Sequence, residues 1–194
     1  MLRTAFLTFL TLLIAIGGGA GSVWYALGAI GGLGALHVGG WTAYPQAGTV
    51  DADPYSKARV AREAELPLGR AEGLAFVADR DSTNQPLRRD CTYRIEGHIP
   101  AARFWTIYAA DAGNRALAPV GDRAPGISAF AVVRASDNSV VVTASPRAAP
   151  MNWLAISGQG GMSLVLTLYD TPVASNENIA EIDLPQVLRT ECDG

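Results

Sequence analysis

The sequence predicts a mainly β fold, an antiparallel β-sandwich or open barrel with one N-terminal amphipathic helix, preceded by a transmembrane helix. Three observations carry that reading. Thr4 to Val50 contains no Asp, Glu, Lys or Arg. After it, apolar residues alternate with polar ones in short runs punctuated by Gly, Pro, Asn and Asp. Between the two lies one segment with the chemistry of a helix start. The chain therefore divides into an N-terminal transmembrane anchor, residues 1–36, and one β-rich domain, residues 37–194.

The anchor comes first. Its apolar heart, Ala5 to Leu36, exceeds the roughly 20 residues that cross a bilayer at about 1.5 Å per helical residue. Arg3 and the amino terminus precede it, and Asp51 and Asp53 follow. Positive-inside placement then leaves the N-terminus in the cytoplasm. It makes the chain a single-pass protein of the inner membrane with its C-terminal domain in the periplasm. The small residues Gly18-Gly19-Ala20 suit a signal peptidase, but the apolar run continues through Val23, Trp24, Tyr25, Leu27 and Ile30. That length favours an uncleaved anchor, with the lipid bilayer as the first partner.

From Asp51 onward there are 14 basic residues against 18 acidic ones, a net charge of −4. Such a domain repels phosphate backbones, so nucleic acid is not an expected partner. The only two cysteines, Cys91 and Cys192, form no CxxC pair and both lie on the exported side. In an oxidising compartment that count predicts one Cys91–Cys192 disulfide, stapling the C-terminal tail to an early strand.

Along the domain, Trp41 to Pro45 is an aromatic segment read as a short strand. Asp53 is a natural N-cap and Pro54 fits the first helical position, where its missing N–H costs nothing. The helix is expected over Tyr55 to Glu65, with Arg59 and Glu63 paired at i,i+4. From Gly73 the period becomes two. Leu74, Phe76 and Ala78 share one face, and Cys91, Tyr93 and Ile95 another. The polar loop between these runs predicts a hairpin. Further strands are expected over Phe104–Ala110, Ala129–Arg134, Val140–Ala144 and Met162–Tyr169, with turns at Asp111–Asn114 and Asp137-Asn138.

No HExxH, GxSxG, P-loop or strand-borne GxGxxG occurs, so no catalytic residue, metal site or cofactor is predicted. His98, beside Gly97 and Pro100, reads as an exposed turn histidine. Asp79, Asp81 and Asn84 superficially resemble a calcium loop, but they lack the glycine and closing glutamate and read as a solvated turn. The ligand-binding candidates are Arg62, Glu72, Arg103, Asn152, Trp153 and Asp170. A strand-borne arginine such as Arg103 or Arg94 needs a carboxylate when buried, and Glu72 and Asp170 are the nearest choices. Asn152-Trp153 reads as a loop whose indole either plugs the sandwich end or meets a ligand.

The phrases DPYSKARVAREAELPLGRAEGLAF, CTYRIEG, PAARFWTIYAAD, NWLAI and LVLTLYDTP resemble a bacterial family catalogued as domain of unknown function 1214. That family stands alone behind a transmembrane helix or is fused to the related family 1254. The resemblance runs from about Trp41 to Cys192. It implies a sandwich-like domain, an envelope location and two cysteines in the family pattern, with no established reaction. Where that pattern has glycine before Asn-Trp-Leu, this chain has Met151. The expected role is a membrane-anchored module that binds or organises an envelope component. The alternative is an enzyme acting on a small envelope ligand through a pocket of Arg62, Glu72 and Arg103.

Overall fold

Leu2 to Ala29 form one helix, α1, in the computed structural model, which describes residues 2–29, 34–63, 66–69, 71–175 and 182–192. Its stretch Leu2–Tyr25 is long and apolar enough to cross a membrane, a property that anchors and signal sequences share. Its apolar side chains touch nothing that would bury them; Phe6, Phe9 and Trp24 are all mostly exposed. Leu36, the last residue of the apolar run, already belongs to the domain, where it opens β1 (Leu36–Val38).

The second helix, α2 (Pro54–Glu63), starts as its sequence dictates. The Asp53 carboxylate accepts a hydrogen bond from the Ser56 amide, three residues on, at 3.1 Å. The side chains of Arg59 and Glu63 lie outside the described residues, as does Glu65.

The period-two runs become strands packed in two sheets. One holds β1, β2 (Trp41–Ala43), β3 (Gly73–Ala78), β5 (Phe104–Ala110), β6 (Gly126–Ser128) and β9 (Ser163–Tyr169), in the order β1-β2-β3-β9-β5-β6. The other holds β4 (Cys91–Gly97), β7 (Val140–Ser145), β8 (Trp153–Ala155) and β10 (Gln186–Cys192), in the order β10-β4-β7-β8. All pairings are antiparallel except β7 with β8. The result is a sandwich and not a closed barrel.

Between the sheets the inward positions interdigitate. Phe76, Ile107, Leu164, Leu166 and Leu168 from the larger sheet meet Tyr93, Ile95, Val142 and Leu154 from the smaller, all essentially fully buried. Each such side chain contributes about 1.5–3 kcal/mol of burial. Trp41 is buried too, and its indole N–H donates to the Pro185 carbonyl at 2.7 Å, so the polar edge of the ring is satisfied. Cys192 sits opposite Cys91 in the β10–β4 register, and the two form the expected disulfide.

Two expectations are corrected. β3 and β4 do not form a hairpin, because they lie in different sheets. The polar loop between them is a crossover: the Leu87 amide bonds back to Asp79, the Ser82 amide bonds to Val187 of β10, and Leu87 is buried. Ala129–Arg134 is not a strand either. Only Arg134 forms a bridge, to Val140, and the turn at Asp137-Asn138 is where it was expected. The neighbouring strand is instead β6, three residues earlier.

Candidate functional site

The candidates around the arginines come together at one end of the larger sheet. Glu72 precedes β3, Asp170 follows β9 and Arg103 precedes β5, and the registers Gly73–Tyr169–Phe104 set them side by side. The Arg103 guanidinium reaches Asp170 at 3.4 Å, but the two side chains are 82% and 68% exposed. Glu72 is exposed and accepts a hydrogen bond from the Gly69 amide at 2.9 Å. Arg94 pairs with Glu96 at 2.6 Å, with the arginine side chain 54% exposed. So Arg103 does pair with Asp170, but in water and not in a buried pocket. Arg62 lies on α2, and its side chain is outside the described residues. Arg103→Gln should shift stability by only about 0–1 kcal/mol in urea denaturation, as for other solvated pairs.

Asn152 and Trp153 have other duties. Trp153 begins β8 instead of lying in a loop. Its indole N–H donates to the Ser145 carbonyl at 3.0 Å, and the Arg123 guanidinium stacks over the ring at 4.4 Å. Asn152 is buried. Its carbonyl accepts from the Val133 amide at 2.7 Å, while its amide donates to the carbonyls of Val133 and Val141 at 2.7 and 2.9 Å. An amide side chain thus takes the place of a neighbouring strand for Val133, which is why Ala129–Arg134 needs no ladder. Asn152→Ala removes three part-buried hydrogen bonds, to the Val133 amide and carbonyl and the Val141 carbonyl. Its expected cost is about 2–4 kcal/mol in thermal or chemical unfolding.

Met151 stands where the resemblance implies a glycine. Its φ is +60°, in the left-handed region that glycine occupies without strain, and its side chain is 77% exposed. Met151→Gly should therefore raise stability by about 0.5–1 kcal/mol, with no packing lost. A lower denaturation midpoint would contradict this.

Asp81 is not solvated. One carboxylate oxygen accepts from the Thr83 amide, the Thr83 hydroxyl and the Gln85 amide at 2.7–3.0 Å; the other lies 2.9 Å from Nε of Arg189 on β10. Arg189 also donates to the Pro86 carbonyl at 2.7 Å. Burial works to raise the Asp81 pKa, but the Thr83 hydroxyl, the two amides and Arg189 outweigh it and hold the carboxyl below its ordinary range. Its role is to pin the crossover to β10. Among the described residues no group of three or more His, Cys, Asp and Glu is placed to hold a metal. His98 is exposed, with its ring 3.3 Å from the Asp137 carbonyl.

The feature that sequence reasoning missed is on the outer face of the larger sheet. In β9 the inward Leu164, Leu166 and Leu168 are buried, but so are the outward Val165 and Thr167, at 4% and 6% exposure. A groove of about 1610 Å³ runs over this face. Its floor is Ala75 and Val77 of β3, Val165 and Thr167 of β9, and Tyr108 of β5. Its other wall comes from the segment carrying α2, through Tyr44, Val60, Leu66 and Leu68. The strand run LVLTLY shows period-two leucines, so its valine and threonine read as a solvent face; only the overlying segment changes that.

One end of the groove is basic. Arg80 follows β3, Arg115 lies in the turn after β5, and Arg89 lies beside the entry to β9. Arg80 and Arg89 bond to the backbone carbonyls of Asn84 and Gly161, both at 3.0 Å. Arg115 stands 3.8 Å from Asp111, whose carboxylate also accepts from the Gly113 and Arg115 amides. Asp79 and Asp81 also line this end, the latter paired with Arg189.

A two-sheet sandwich behind an apolar helix, with an open groove on its outer face, defines the class of protein. The chain belongs to the family described as protein of unknown function (DUF1214), whose model matches residues 72–173, more than half of its length. That span holds the groove floor and its basic end, while α2, β1, β2 and β10 lie outside it. No curated protein matches the sequence. Among solved structures, the VPA0106 protein from Vibrio parahaemolyticus is similar in fold. Its TM-score is 0.57 at 18% identity, over 73% of this chain and 36% of that one. The present chain thus spans about a third of that protein. An uncharacterised protein from Burkholderia cenocepacia aligns with a TM-score of 0.43 at 15% identity, over 76% of this chain and 46% of that one.

Proposed function

We propose that the chain is a membrane-tethered envelope module: α1 stays in the inner membrane, the sandwich stands in the periplasm, and the outer groove binds an envelope component. The observation that carries the reading is the groove. The space between the sheets is filled with apolar side chains, whereas the outer face keeps an open cleft with a largely apolar floor and a basic end. The exposed apolar surface of α1 suits lipid, and a Cys91–Cys192 disulfide suits an oxidising compartment.

A cysteine placed in the floor tests occupancy without knowing the occupant. Val77→Cys should react with maleimide several-fold more slowly in isolated membranes than in detergent-purified protein. Val141→Cys, on the outer face of the other sheet, should react alike in both. Equal protection at the two positions, or none at Val77→Cys, contradicts the proposal.

A further inference from the structure

The groove is long, its middle is apolar and its charge is gathered at one end. Val77, Val165 and Tyr108 line the middle. They stand in one cross-strand row, since Val77 pairs with Val165 and Val165 with Tyr108. On the opposite wall Leu66 is 97% exposed, an apolar side chain with no protein covering it. The volume of about 1610 Å³ exceeds the roughly 300–1,000 Å³ of ordinary small-molecule pockets, which suits an elongated occupant.

The basic end offers three guanidinium groups. Two of them, Arg80 and Arg89, are held by backbone carbonyls, and Arg89 also feels the Asp111 carboxylate, so the guanidinium groups are positioned at this end. That arrangement favours an anion, through charge-assisted hydrogen bonds. It is also near the tether. Six residues lie between Ala29 and Leu36, so at most about 25 Å of extended chain separates the two. The turn that follows β1 then places Gly40 against the Arg80 carbonyl.

We infer that the groove takes a single-chain anionic amphiphile from the bilayer that holds α1, with its acyl chain along Val77, Val165 and Tyr108 and its anionic head at Arg80, Arg89 and Arg115. This rests on the proposed function and specifies the occupant. A fatty acid and a lysophospholipid share the chemistry, and the membrane is the source of either.

The test uses the full chain in phosphatidylcholine nanodiscs, with a diazirine-bearing palmitic acid as the probe and its methyl ester as the uncharged control. After illumination, mass spectrometry compares label in the groove peptides with label in α1, which contacts lipid in every sample. The acid should label β3, β9 and the 60–68 segment. The groove-to-α1 ratio should fall about tenfold with the ester, the loss expected when a head-group ion pair of about 1.4 kcal/mol is removed. Val77→Arg should abolish groove labelling. The double variant Arg80→Gln/Arg115→Gln, at exposed positions that leave the core intact, should reduce acid labelling to the level of the ester. Arg94→Gln, on the other sheet, should change nothing.

Equal labelling by acid and ester overturns the inference, as does labelling unaffected by the double arginine variant. Label confined to α1 while Val77→Cys stays protected in native membranes also overturns it. That last pattern leaves the binding module standing with an occupant of another chemistry, such as a polypeptide segment.

Discussion

Cys192→Ser should be among the most destabilising single changes in the chain. The disulfide closes a loop of 101 residues, and the chain-entropy model assigns about 4.7 kcal/mol to a loop of that size. The location of the bond sharpens the expectation. β10 is the edge strand of the smaller sheet, with a register shift between Arg189 and Glu191, so the bridge pins the end of a strand that is paired on one side alone. Against a total stability of about 5–15 kcal/mol for a natural domain, that loss approaches global unfolding. Urea denaturation of the oxidised protein and of Cys192→Ser measures it. A difference below about 1 kcal/mol would mean that the sandwich holds β10 without help.

Asp81→Ala should rank beside it. The substitution removes three hydrogen bonds from the crossover and leaves Arg189 without its carboxylate. The carboxylate is 1% exposed and the arginine side chain 26%, so water only partly rescues the orphaned charge. Breaking such a pair from one side costs about 3–5 kcal/mol. Asp81→Asn keeps an oxygen for the loop amides and loses the ion pair, so its loss should be smaller. The same carboxylate gives a pH signature. Its folded pKa lies below the ordinary value, so its stabilisation is complete above about pH 4, where the unfolded carboxyl is ionised. It declines as pH falls through the folded value. Wild type should therefore lose stability below about pH 4, and Asp81→Asn should lose less over that range. Parallel acid profiles would contradict the assignment.

The sequence made the strands legible because each has one face in the core. The alternations in Gly73–Ala78, Cys91–Gly97, Phe104–Ala110 and Ser163–Tyr169 are the direct record of that burial. The helix start at Asp53-Pro54 was legible because a cap is local chemistry. Pairing was not. The run Asp79 to Asn84 is polar enough to read as a tight turn, yet Asp81 is buried because its partner Arg189 comes from a distant strand. Short elements left no pattern: β1, β6 and β8 have three residues each.

The candidate site divides the same way. The sequence offers Glu72 and Asp170 alike as partners for a buried Arg103 or Arg94; Arg103 meets Asp170, but exposure cannot be read from a place on a strand, and both side chains are solvated. Asn152 looked like a ligand contact because a polar residue before tryptophan has no local duty; its duty is to Val133 and Val141. The groove escaped notice because its two walls come from segments far apart in the chain, and Val165 carries no mark of being covered from outside.

The account depends most on an exported, tethered domain. Maleimide-polyethylene glycol labelling of Cys91 and Cys192, on carbonate-washed membranes and on the soluble fraction of the same cells, tests it most directly. The chain should pellet with the membrane and gain mass only after reduction, by two labels. Soluble protein carrying two thiols that label without reductant would remove the tether, the compartment and the membrane source of the occupant.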